Sequence, residues 1–449
     1  MSDYKIDIPI KIKFTLDKLH DAGKKAYLVG GCVRDALLGI SPHDWDIATS
    51  ATPEEIKNVF RDYKQIDTGL KHGTVAVIIE NKSIEITTFR IDGKYSDGRR
   101  PDKVSFTTNI TEDLSRRDYS INACAITDNQ IIDPFGGQED IKNHIIRCVG
   151  DPMRRFNEDA LRILRGIRFA SVLNFEIEEY TKEAMFELKN LLRNISQERI
   201  TAEFCKTLLG INVRNTLMEY RDILVFILPE IKDTIGFNQN NNHHIYDVFE
   251  HSLMAVESTD SDIILRVCML FHDIAKPYCY SLDQNKVGHF YGHPEKSAQM
   301  TEAILKRMRF QTKDIHDITQ LIKYHDMQIE STPKSIKKCL NAIGKVQFNR
   351  LLKVKRADIL AQNPDLAFNN LKDLSVIEQI FNDIISSNNC VSMRDLAING
   401  YDLILLGIPE GKEIGIVLNK LLEMVLSDEI KNDKDALSKM VSNNLFDFR

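Results

Sequence analysis

Residues 28–46, LVGGCVRDALLGISPHDWD, constrain this chain more than any other segment. A short apolar run ends at Gly30 and Gly31, and a turn then leads to Asp44 and Asp46. Because side chains alternate along a strand, the two aspartates would share one face if this segment were extended. Carboxylate oxygens bind Mg²⁺, and glycines let a backbone approach phosphate groups closely. The combination predicts a site for a Mg²⁺-bound triphosphate and nucleotidyl transfer by a two-metal mechanism.

Two strings in this segment carry a resemblance. GGCVRD from Gly30 and DWDIAT from Asp44 resemble the head of the class II tRNA nucleotidyltransferases and bacterial poly(A) polymerases, within the polymerase-beta superfamily. The resemblance implies that Asp44 and Asp46 are catalytic and hold two Mg²⁺ ions. It also implies that Gly31 and Arg34 help to hold the triphosphate.

Length and composition are those of an ordinary globular protein, with 449 residues, 43% of them hydrophobic and 28% charged. No apolar run approaches the roughly 18 residues of a membrane span, and the first residues lack the apolar core of a signal peptide. The eight cysteines include no C-x-x-C pair. We therefore expect a cytoplasmic protein with no membrane partner. The net charge of −6 argues mildly against nucleic-acid binding, but arginine pairs cluster within one segment.

The pattern of apolar residues predicts an α+β fold. Strands are expected at 26–29, 46–49, 75–80, 83–89, 123–127 and 130–133, with a hairpin turn at Asn81-Lys82. From about residue 156 onward, helical periodicity dominates. With the resemblance, this predicts a nucleotidyltransferase head of mixed sheet and helices over 1–150, then an all-helical neck over 151–240, body over 241–364 and tail over 365–449. Neck and tail would bind tRNA, although a purely structural tail fits its mixed charge nearly as well.

A second head motif, LSRRDYSINACA from Leu114, also matches that family. A guanidinium forks onto phosphate oxygens, so Arg117 is expected to contact the triphosphate. Asp118 is expected to take a ribose hydroxyl, and Asn122 to orient the sugar or the loop. Glu85, on a predicted strand, is either a third carboxylate beside the metal ions or an exposed strand residue.

Residues 90–106, RIDGKYSDGRRPDKVSF, are polar and rich in aspartate and glycine, which predicts a mobile loop. In the resembled family a flexible loop here matters for addition of the final A, and enzymes that add only C lack it. The resemblance therefore implies A addition, with Arg99 and Arg100 as the basic residues of the loop.

Residues 156–170, FNEDALRILRGIRFA, predict one helix with Asn157 as its N-cap. Apolar residues fall on one face, and Arg162, Arg165 and Arg168 recur on the other at a spacing of three. Like charges at that spacing repel. We therefore expect an anion, such as a triphosphate or an RNA backbone, to face them.

The start of this helix, EDALR, matches the E-D-x-x-R motif with which class II CCA-adding enzymes are thought to read the incoming base. By this resemblance, Asp159 and Arg162 select C or A by offering a hydrogen-bond acceptor and donors to the Watson–Crick edge. Arg165 and Arg168 then contact the nucleotide or its phosphates. Poly(A) polymerases keep a related helix, so the motif favours CCA addition without excluding them.

From residue 243 onward, histidines and aspartates recur in the order H…HD…D, supplied by His251, His272, Asp273 and Asp358. This segment resembles the HD-type metal phosphohydrolases, in which a lysine such as Lys276 commonly follows the HD pair. The resemblance implies a second divalent metal, Mg, Mn, Ni or Fe. Hydrolysis of a phosphomonoester or of a 2′,3′-cyclic phosphate at an RNA end would be the reaction.

Further histidines have less definite roles. His293 and His325 could complete a second metal position, whereas His43, His72, His243 and His244 suggest no partner. Related nucleotidyltransferases carry HD-like segments that serve only as helical body, so catalysis by this segment stays open.

Together these features predict addition of C, C and A to the 3′ end of tRNA, with Mg²⁺ as cofactor and tRNA, CTP and ATP as partners. Three alternatives stay open. The first is an A-adding enzyme or poly(A) polymerase with the same head. The second is an HD metal phosphohydrolase with a vestigial head, and the third is a non-catalytic RNA-binding module.

Overall fold

The computed structural model describes residues 7–67, 69, 73–93, 95, 103–127, 130–242, 244–387 and 390–443. The chain divides into two units, Met1–Pro229 and Glu230–Arg449. Strands concentrate in the first unit and helices make up most of the second. The expected α+β class, a mixed sheet with helices followed by a helical region, is therefore confirmed.

The first unit is built on a seven-stranded sheet. Its strands and those of two smaller pairs are β1 (Ala26–Val29), β2 (Asp46–Thr49), β3 (Lys64–Ile66), β4 (Thr74–Ile79), β5 (Lys82–Thr88), β6 (Arg90–Asp92), β7 (Val104–Phe106), β8 (Ala125–Ile126), β9 (Ile131–Ile132), β10 (Ile145–Ile146) and β11 (Glu176–Ile177). The sheet order is β3-β4-β5-β2-β1-β8-β9. Within the sheet, β2 and β5 run parallel and the other neighbours run antiparallel.

The hairpin of β4 and β5 follows from alternation. Buried side chains recur at every second position, at Val75, Val77 and Ile79 on β4 and at Ile84 and Ile86 on β5. The turn uses Glu80 and Asn81, with φ of 45° and 65°, one residue before the expected position. Two consecutive positive φ values match the twist that a two-residue hairpin turn needs.

Short helices cover the sheet and longer ones follow it. They are α1 (Ile10–Asp21), α2 (Gly31–Leu37), α3 (Pro53–Val59), α4 (Ile110–Ser115), α5 (Gly137–Lys142), α6 (Pro152–Glu158), α7 (Leu161–Leu173), α8 (Glu179–Leu188), α9 (Gln197–Leu208), α10 (Val213–Glu219) and α11 (Arg221–Ile227). Leu16 of α1 and Phe60 after α3 pack with the sheet residues Leu28, Ile47 and Ile86 in one core cluster. This core holds the end of β1 and the start of β2 in place, where the glycine and aspartate motifs lie.

The single helix expected over 156–170, with Asn157 as its cap, is wrong. The carboxylate of Asp151 caps α6 instead, accepting from the Met153 N–H at 3.0 Å, and Asn157 lies inside that helix. Asp159 is extended, with φ −148° and ψ 103°, and separates α6 from α7. Its carboxylate accepts from the Leu161 N–H at 3.1 Å. A short acidic side chain that hydrogen-bonds to the nearby backbone in this way competes with continuation of the helix. The spacing of apolar residues carries no sign of such a break.

Over its described residues, the second unit contains helices and one two-stranded ribbon, β12 (Ser281–Leu282) with β13 (Gly288–His289). Its helices are α12 (Val248–Glu257), α13 (Ile263–Phe271), α14 (Lys276–Cys279), α15 (His293–Arg307), α16 (Thr312–Tyr324), α17 (Pro333–Ile343), α18 (Lys345–Leu360), α19 (Pro364–Ser386), α20 (Gly400–Leu405), α21 (Lys412–Leu426) and α22 (Lys434–Asn443). Across the described ranges, none of the helices combines the length and the apolar character that a membrane crossing requires.

Candidate functional site

One cavity of about 760 Å³ in the first unit gathers most of the residues expected in the head. Its wall contains Gly31, Arg34, Asp46, Arg117, Asp118, Asn122, Asp159, Arg162, Arg165 and Arg168, together with Gly30, Arg116, Phe169, Arg199 and Lys206. Asp44 is exposed just before Asp46 and is not part of this wall. The motifs at β1–β2, at Leu114 onward and at 158–168 therefore meet around one space.

The two aspartates differ in backbone setting. β2 begins at Asp46, and Asp44 lies in the bend before it, so alternation along a strand does not place the two side chains together. The two charges nevertheless interact. Desolvation raises the pKa of Asp46, the Asp44 carboxylate raises it further, and the Arg117 guanidinium opposes both. The register also pairs Asp46 with Glu85 on the parallel strand β5, which brings a third carboxylate to the same edge.

Gly30 allows a close approach between the chain and the charged groups of the cavity. Its φ of 80° is unfavourable for other residues. A Cβ placed on Gly30 would lie 3.0 Å from Arg117 Nη1 and 3.5 Å from Asp46 Oδ2. A Cβ on Gly31 would lie 3.7 Å from Arg34 Nη2. The backbone of this turn thus runs directly beside one carboxylate and two guanidinium groups.

Asp118 organises the neighbouring polar side chains. One of its oxygens accepts from Arg165 Nε at 2.6 Å, and the other accepts from Asn122 Nδ2 at 3.2 Å. Asn122 Oδ1 in turn accepts from Arg34 Nη1 at 2.9 Å. Burial raises the pKa of Asp118, but the charge of Arg165 and the hydrogen bonds from Arg165 and Asn122 outweigh it and hold the pKa at about 2. Asp118 is therefore ionised across the ordinary pH range.

The row of arginines on α7 faces carboxylates of the same chain. Arg162 pairs with Glu158 at 2.8 Å, Arg165 with Asp118 at 2.5 Å, and Arg168 with Glu203 at 3.2 Å. The sequence led us to expect an external anion in this place. Glu203 lies on α9, and α8 separates α9 from the arginine row of α7. The sequence around Arg168 therefore gives no indication of this partner.

Arg199 is another residue of this cavity that sequence reasoning missed. It lies on α9, and its Nη2 donates to Asp159 Oδ2 at 2.7 Å. Both side chains line the cavity. Their contact spans 40 residues of sequence, so no local sequence motif joins the two residues.

Four residues named from the sequence lie outside the residues that the structure describes. They are Arg99, Arg100 and His72 of the first unit and His243 of the second. In the part of the 90–106 segment that is described, β6 pairs with β7, and the Tyr95 hydroxyl donates to Asp92 Oδ2 at 2.8 Å.

In the second unit, four imidazoles surround the carboxylate of Asp273. Its Oδ2 lies 3.1 Å from His272 Nε2 and 3.5 Å from His251 Nε2. Its Oδ1 lies 3.2 Å from His293 Nε2 and 3.6 Å from His325 Nε2. Asp273 therefore stands between two groups of possible metal ligands, one with His251 and His272 and the other with His293 and His325.

Asp358 completes the first of these groups. Its Oδ1 lies 3.0 Å from His251 Nε2 and 3.4 Å from His272 Nε2. The sequence placed His251, His272, Asp273 and Asp358 together, and the structure brings them together. Opposite charge and hydrogen bonding overcome burial and hold the pKa values of both Asp273 and Asp358 well below the usual range.

Each of the four histidines is oriented by its other ring nitrogen. The Nδ1 atoms lie 2.6 to 3.1 Å from backbone carbonyl oxygens, those of Ala361 for His251, Met269 for His272, Phe290 for His293 and Ile322 for His325. A carbonyl only accepts, so each Nδ1 carries the hydrogen and each Nε2 has its lone pair free in the neutral ring. Backbone carbonyls fix metal-ligating histidines in this way, so the cluster suits divalent metal binding.

Lys276 and His244 lie beside the histidine cluster. Lys276 Nζ forms an ion pair with Asp273 Oδ2 and donates a hydrogen bond to Gln239 Oε1, both at 2.7 Å, and it lies 3.3 Å from His244 Nε2. His244, unassigned from sequence, lines both a cavity of about 320 Å³ and one of about 790 Å³ next to the cluster.

His43, which also suggested no partner from sequence, lies in the first unit and is exposed in the turn before Asp44.

Comparison with known families gives three matches. They are the poly A polymerase head domain over residues 26–147, the RNA and SrmB-binding site of polymerase A over 174–235, and tRNA nucleotidyltransferase domain 2 over 289–441. The first covers the sheet-bearing part and the glycine, aspartate and arginine motifs up to 147. The third covers His293, His325 and Asp358.

Individual proteins are also similar. The CCA-adding enzyme of Lactobacillus helveticus is 37% identical over 97% of this chain and 98% of its own length. The CCA-adding enzyme of Enterococcus faecalis is 52% identical over 45% of this chain and 50% of its own. Among solved structures, the Bacillus stearothermophilus CCA-adding enzyme in complex with CTP has a TM-score of 0.67 at 27% identity, with 97% of this chain and 96% of that chain covered.

Proposed function

The chain belongs to the family of CCA-adding enzymes, and on this premise we propose that it adds C, C and A to the 3′ end of tRNA from CTP and ATP. In this reaction the 3′-hydroxyl oxygen of the RNA attacks the α-phosphorus of the nucleotide, and pyrophosphate leaves. One observation carries the proposal: a single cavity holds the carboxylate Asp46, the phosphate-binding candidate Arg117 and the base-reading candidate Asp159.

The triphosphate is assigned to the part of this cavity beside Gly30 and Gly31. Arg117 and Arg34 lie against the backbone there, and guanidinium groups bind phosphate oxygens through paired N–H donors. Arg34 is held by Asn122, and Asn122 by Asp118. The three residues thus fix the direction of a phosphate-binding group before the nucleotide enters, which reduces the entropy lost on binding.

Asp44 and Asp46 are the residues that would hold the metal ions. Their carboxylate oxygens suit Mg²⁺. Burial and the Asp44 carboxylate raise the pKa of Asp46, and a bound cation would offset both effects. When bound there, two Mg²⁺ ions would supply Lewis-acid activation of the attacking oxygen and neutralise charge on the triphosphate. Arg117, whose Nη1 would lie 3.0 Å from a Cβ on Gly30, adds a positive charge beside Asp46.

Selection of C or A is assigned to Asp159 and Arg162. Cytosine and adenine both offer an amino group next to a ring nitrogen with a lone pair. A carboxylate accepts from the amino group and a guanidinium donates to the ring nitrogen. Uracil and guanine present the reverse pattern and would leave buried polar groups unpaired, which is costly.

The test is incorporation on a tRNA that lacks its 3′ CCA, with Mg²⁺ and labelled CTP or ATP, separately and together. We expect C-C from CTP alone and C-C-A from both, with growth stopping after three nucleotides. Addition of A alone, to a tRNA already ending in C-C, would make it an A-adding enzyme. Long A tracts would indicate a poly(A) polymerase, and no incorporation would contradict every function of the head.

A second proposal concerns the histidine cluster, which we assign as an HD-type centre for two divalent metal ions with phosphohydrolase activity at an RNA end. The observation in its favour is the position of Asp273 between His251 and His272 on one side and His293 and His325 on the other. Lys276 fixes the Asp273 carboxylate through its ion pair at 2.7 Å. Bound metal ions would supply an activated water and polarise the phosphate.

This activity is tested with Mn²⁺ and bis(p-nitrophenyl) phosphate or a nucleoside 2′,3′-cyclic phosphate. Hydrolysis that is lost in His272→Ala and kept in Asp46→Asn would assign it to the cluster. Loss in Asp46→Asn alone would assign it to the head instead. No hydrolysis of either compound by the full chain would reduce the cluster to a structural role.

A further inference from the structure

Tyr291 presents an exposed aromatic ring at the smaller cavity beside the histidine cluster. The residue is 78% exposed, and it lines the same cavity of about 320 Å³ as Asp273, His293 and Asp358. A single exposed aromatic residue is common on protein surfaces, but the orientation and the anchoring of this one set it apart. Because covering aromatic surface is favourable, an uncovered ring beside a cavity suits a flat ligand.

The ring of Tyr291 has a preset direction although it is exposed. It lies parallel to the imidazole of His289, with 7° between the planes and 5.4 Å between the centroids, which is an offset-stacked arrangement. The Tyr291 hydroxyl lies 3.5 Å from His289 Nδ1. His289 Nε2 in turn lies 3.3 Å from Asp283 Oδ2. The aromatic ring is therefore oriented before any ligand enters, which reduces the entropy lost on binding.

The backbone before Tyr291 is packed against the groups that hold the carboxylate at the centre of the cluster. A Cβ on Gly288 would overlap the backbone oxygen of Gln239, so β13 approaches this segment as closely as a backbone can. The ring of Phe290 lies 5.2 Å from Lys276 Nζ, and this ammonium group pairs with Asp273. The position of the exposed ring is thus tied to that of the cluster.

The distance from the ring to the cluster suits a nucleotide. Tyr291 precedes His293 by two residues, so their Cα atoms are at most about 7.6 Å apart. The carbonyl oxygen of Phe290 lies 2.8 Å from His293 Nδ1, so one short segment both orients a metal-facing imidazole and presents the aromatic ring. In a nucleotide, a ribose separates the phosphate from a flat base. A phosphate at the cluster would therefore leave its base near Tyr291.

We propose that Tyr291 forms a nucleobase-stacking subsite of the histidine cluster, whose substrates are nucleotides with the phosphate at Asp273 and the base on the Tyr291 ring. The inference rests on the proposed phosphohydrolase function and adds to it the class of substrate. Every base has a π face, so stacking accepts any of the four bases. A phosphate ester that lacks a base forgoes this contact.

The experiment compares two substrates of the full chain with Mn²⁺. They are adenosine 2′,3′-cyclic phosphate and glycerol 1,2-cyclic phosphate, which has the same cyclic phosphodiester and no base. Tyr291→Ala removes the ring, and Tyr291→Phe keeps the ring without its hydroxyl. Tyr401→Ala is the matched control, because Tyr401 is 69% exposed on α20 of the same unit and lies outside the walls of the two cavities as the structure describes them.

We expect Tyr291→Ala to raise KM for the adenosine compound by about five- to a hundredfold, the range of one lost base–aromatic stack, with kcat nearly unchanged. KM for the glycerol compound should stay at the parent's value. Tyr291→Phe and Tyr401→Ala should match the parent on both compounds. An equal change in KM for the two compounds in Tyr291→Ala, or no change for either, would overturn the inference.

A second measurement detects binding without turnover. 2-Azidoadenosine 2′,3′-cyclic phosphate is cross-linked to the full chain by a light flash directly after mixing, and the labelled peptides are identified by mass spectrometry. We expect label within residues 288–293 of the parent and its loss in Tyr291→Ala. Label confined to the first unit would overturn the inference, because the base would then lie in the head cavity.

The two measurements separate the subsite from the reaction. Label within residues 288–293 without hydrolysis of either compound would support the subsite and contradict the proposed phosphohydrolase function. Hydrolysis with no label there, and with the same KM in Tyr291→Ala as in the parent, would support that function and overturn the subsite.

Discussion

Asp46 and Glu85 are paired residues on the adjacent parallel strands β2 and β5. Residues in register on neighbouring strands project to the same side of the sheet, so the two carboxylates face the same region. The sequence left Glu85 open between a metal-site carboxylate and an exposed strand residue. Its register with Asp46 favours the first.

Glu85→Gln should raise the Mg²⁺ concentration that half-saturates nucleotide incorporation, because it removes one charge beside Asp46 and keeps the shape of the side chain. We expect a shift of about three- to tenfold, with little change in thermal stability since the side chain is exposed. Titration of incorporation with Mg²⁺ measures it. Glu80→Gln, in the hairpin turn, is the control. Equal Mg²⁺ dependence of the two variants would mean that Glu85 is an exposed strand residue with no role at the metal site.

Gly30→Ala should weaken nucleotide binding as well as stability. Its φ of 80° is strained for alanine, which costs about 1–3 kcal/mol, and its Cβ would lie 3.0 Å from Arg117 Nη1. Gly39→Ala isolates the second effect, since Gly39 has φ of 73° with no atom within 4 Å of its Cβ. Urea unfolding should show both variants destabilised. KM for CTP should rise only in Gly30→Ala, and an equal KM in both would mean that Arg117 does not contact the triphosphate.

Asp118→Asn should destabilise the protein at neutral pH by about 1–2 kcal/mol, a value reduced for the partial exposure of Arg165. The folded-state pKa of Asp118, about 2, lies below the ordinary aspartate value. The contribution is therefore complete above about pH 4 and is lost as the pH falls toward 2. Free energies of unfolding of parent and variant should converge over that window. A constant difference down to pH 2 would contradict the ion pair with Arg165.

The histidine cluster predicts a metal stoichiometry. After dialysis against Mn²⁺, the parent should retain two ions per chain, His325→Ala one, and Asp273→Asn fewer than one, because Asp273 faces both groups of histidines. Elemental analysis of the dialysed protein measures this without reference to activity. His316→Ala is the control, because His316 is an exposed histidine on α16, the helix that ends immediately before His325. Equal metal content in all four proteins would exclude the centre.

The sequence predicted the fold wherever the signal was local. Alternation located β4 and β5 to within a residue or two, because each strand buries one face. The helix break at Asp159 was missed, because apolar spacing continues through it while a side chain bonds the backbone of Leu161. The division into a head, neck, body and tail stays a prediction.

The candidate site was predictable where motifs carried it and not where partners are distant in sequence. Asp46, Arg117 and Asp159 come from three separate motifs and line one cavity. Arg199 and Glu203 enter from α9 through ion pairs with Asp159 and Arg168, and such pairings depend on how the helices pack. For the same reason, the position of Asp273 between two pairs of histidines could be stated only from the structure.

Asp46→Asn tests the central claim most directly. Asp46 lines the cavity and begins β2 at an exposed position, so the change removes a carboxylate charge with little effect on the core. The measurement is extension of a tRNA lacking CCA with CTP, ATP and Mg²⁺, resolved to single nucleotides. The account predicts C-C-A and a stop for the parent. For Asp46→Asn it predicts a loss of at least about a hundredfold in rate, because losing even an outer partner of a metal ligand costs about 10- to 100-fold. Extension by Asp46→Asn at the parent's rate, or none by the parent, would contradict it.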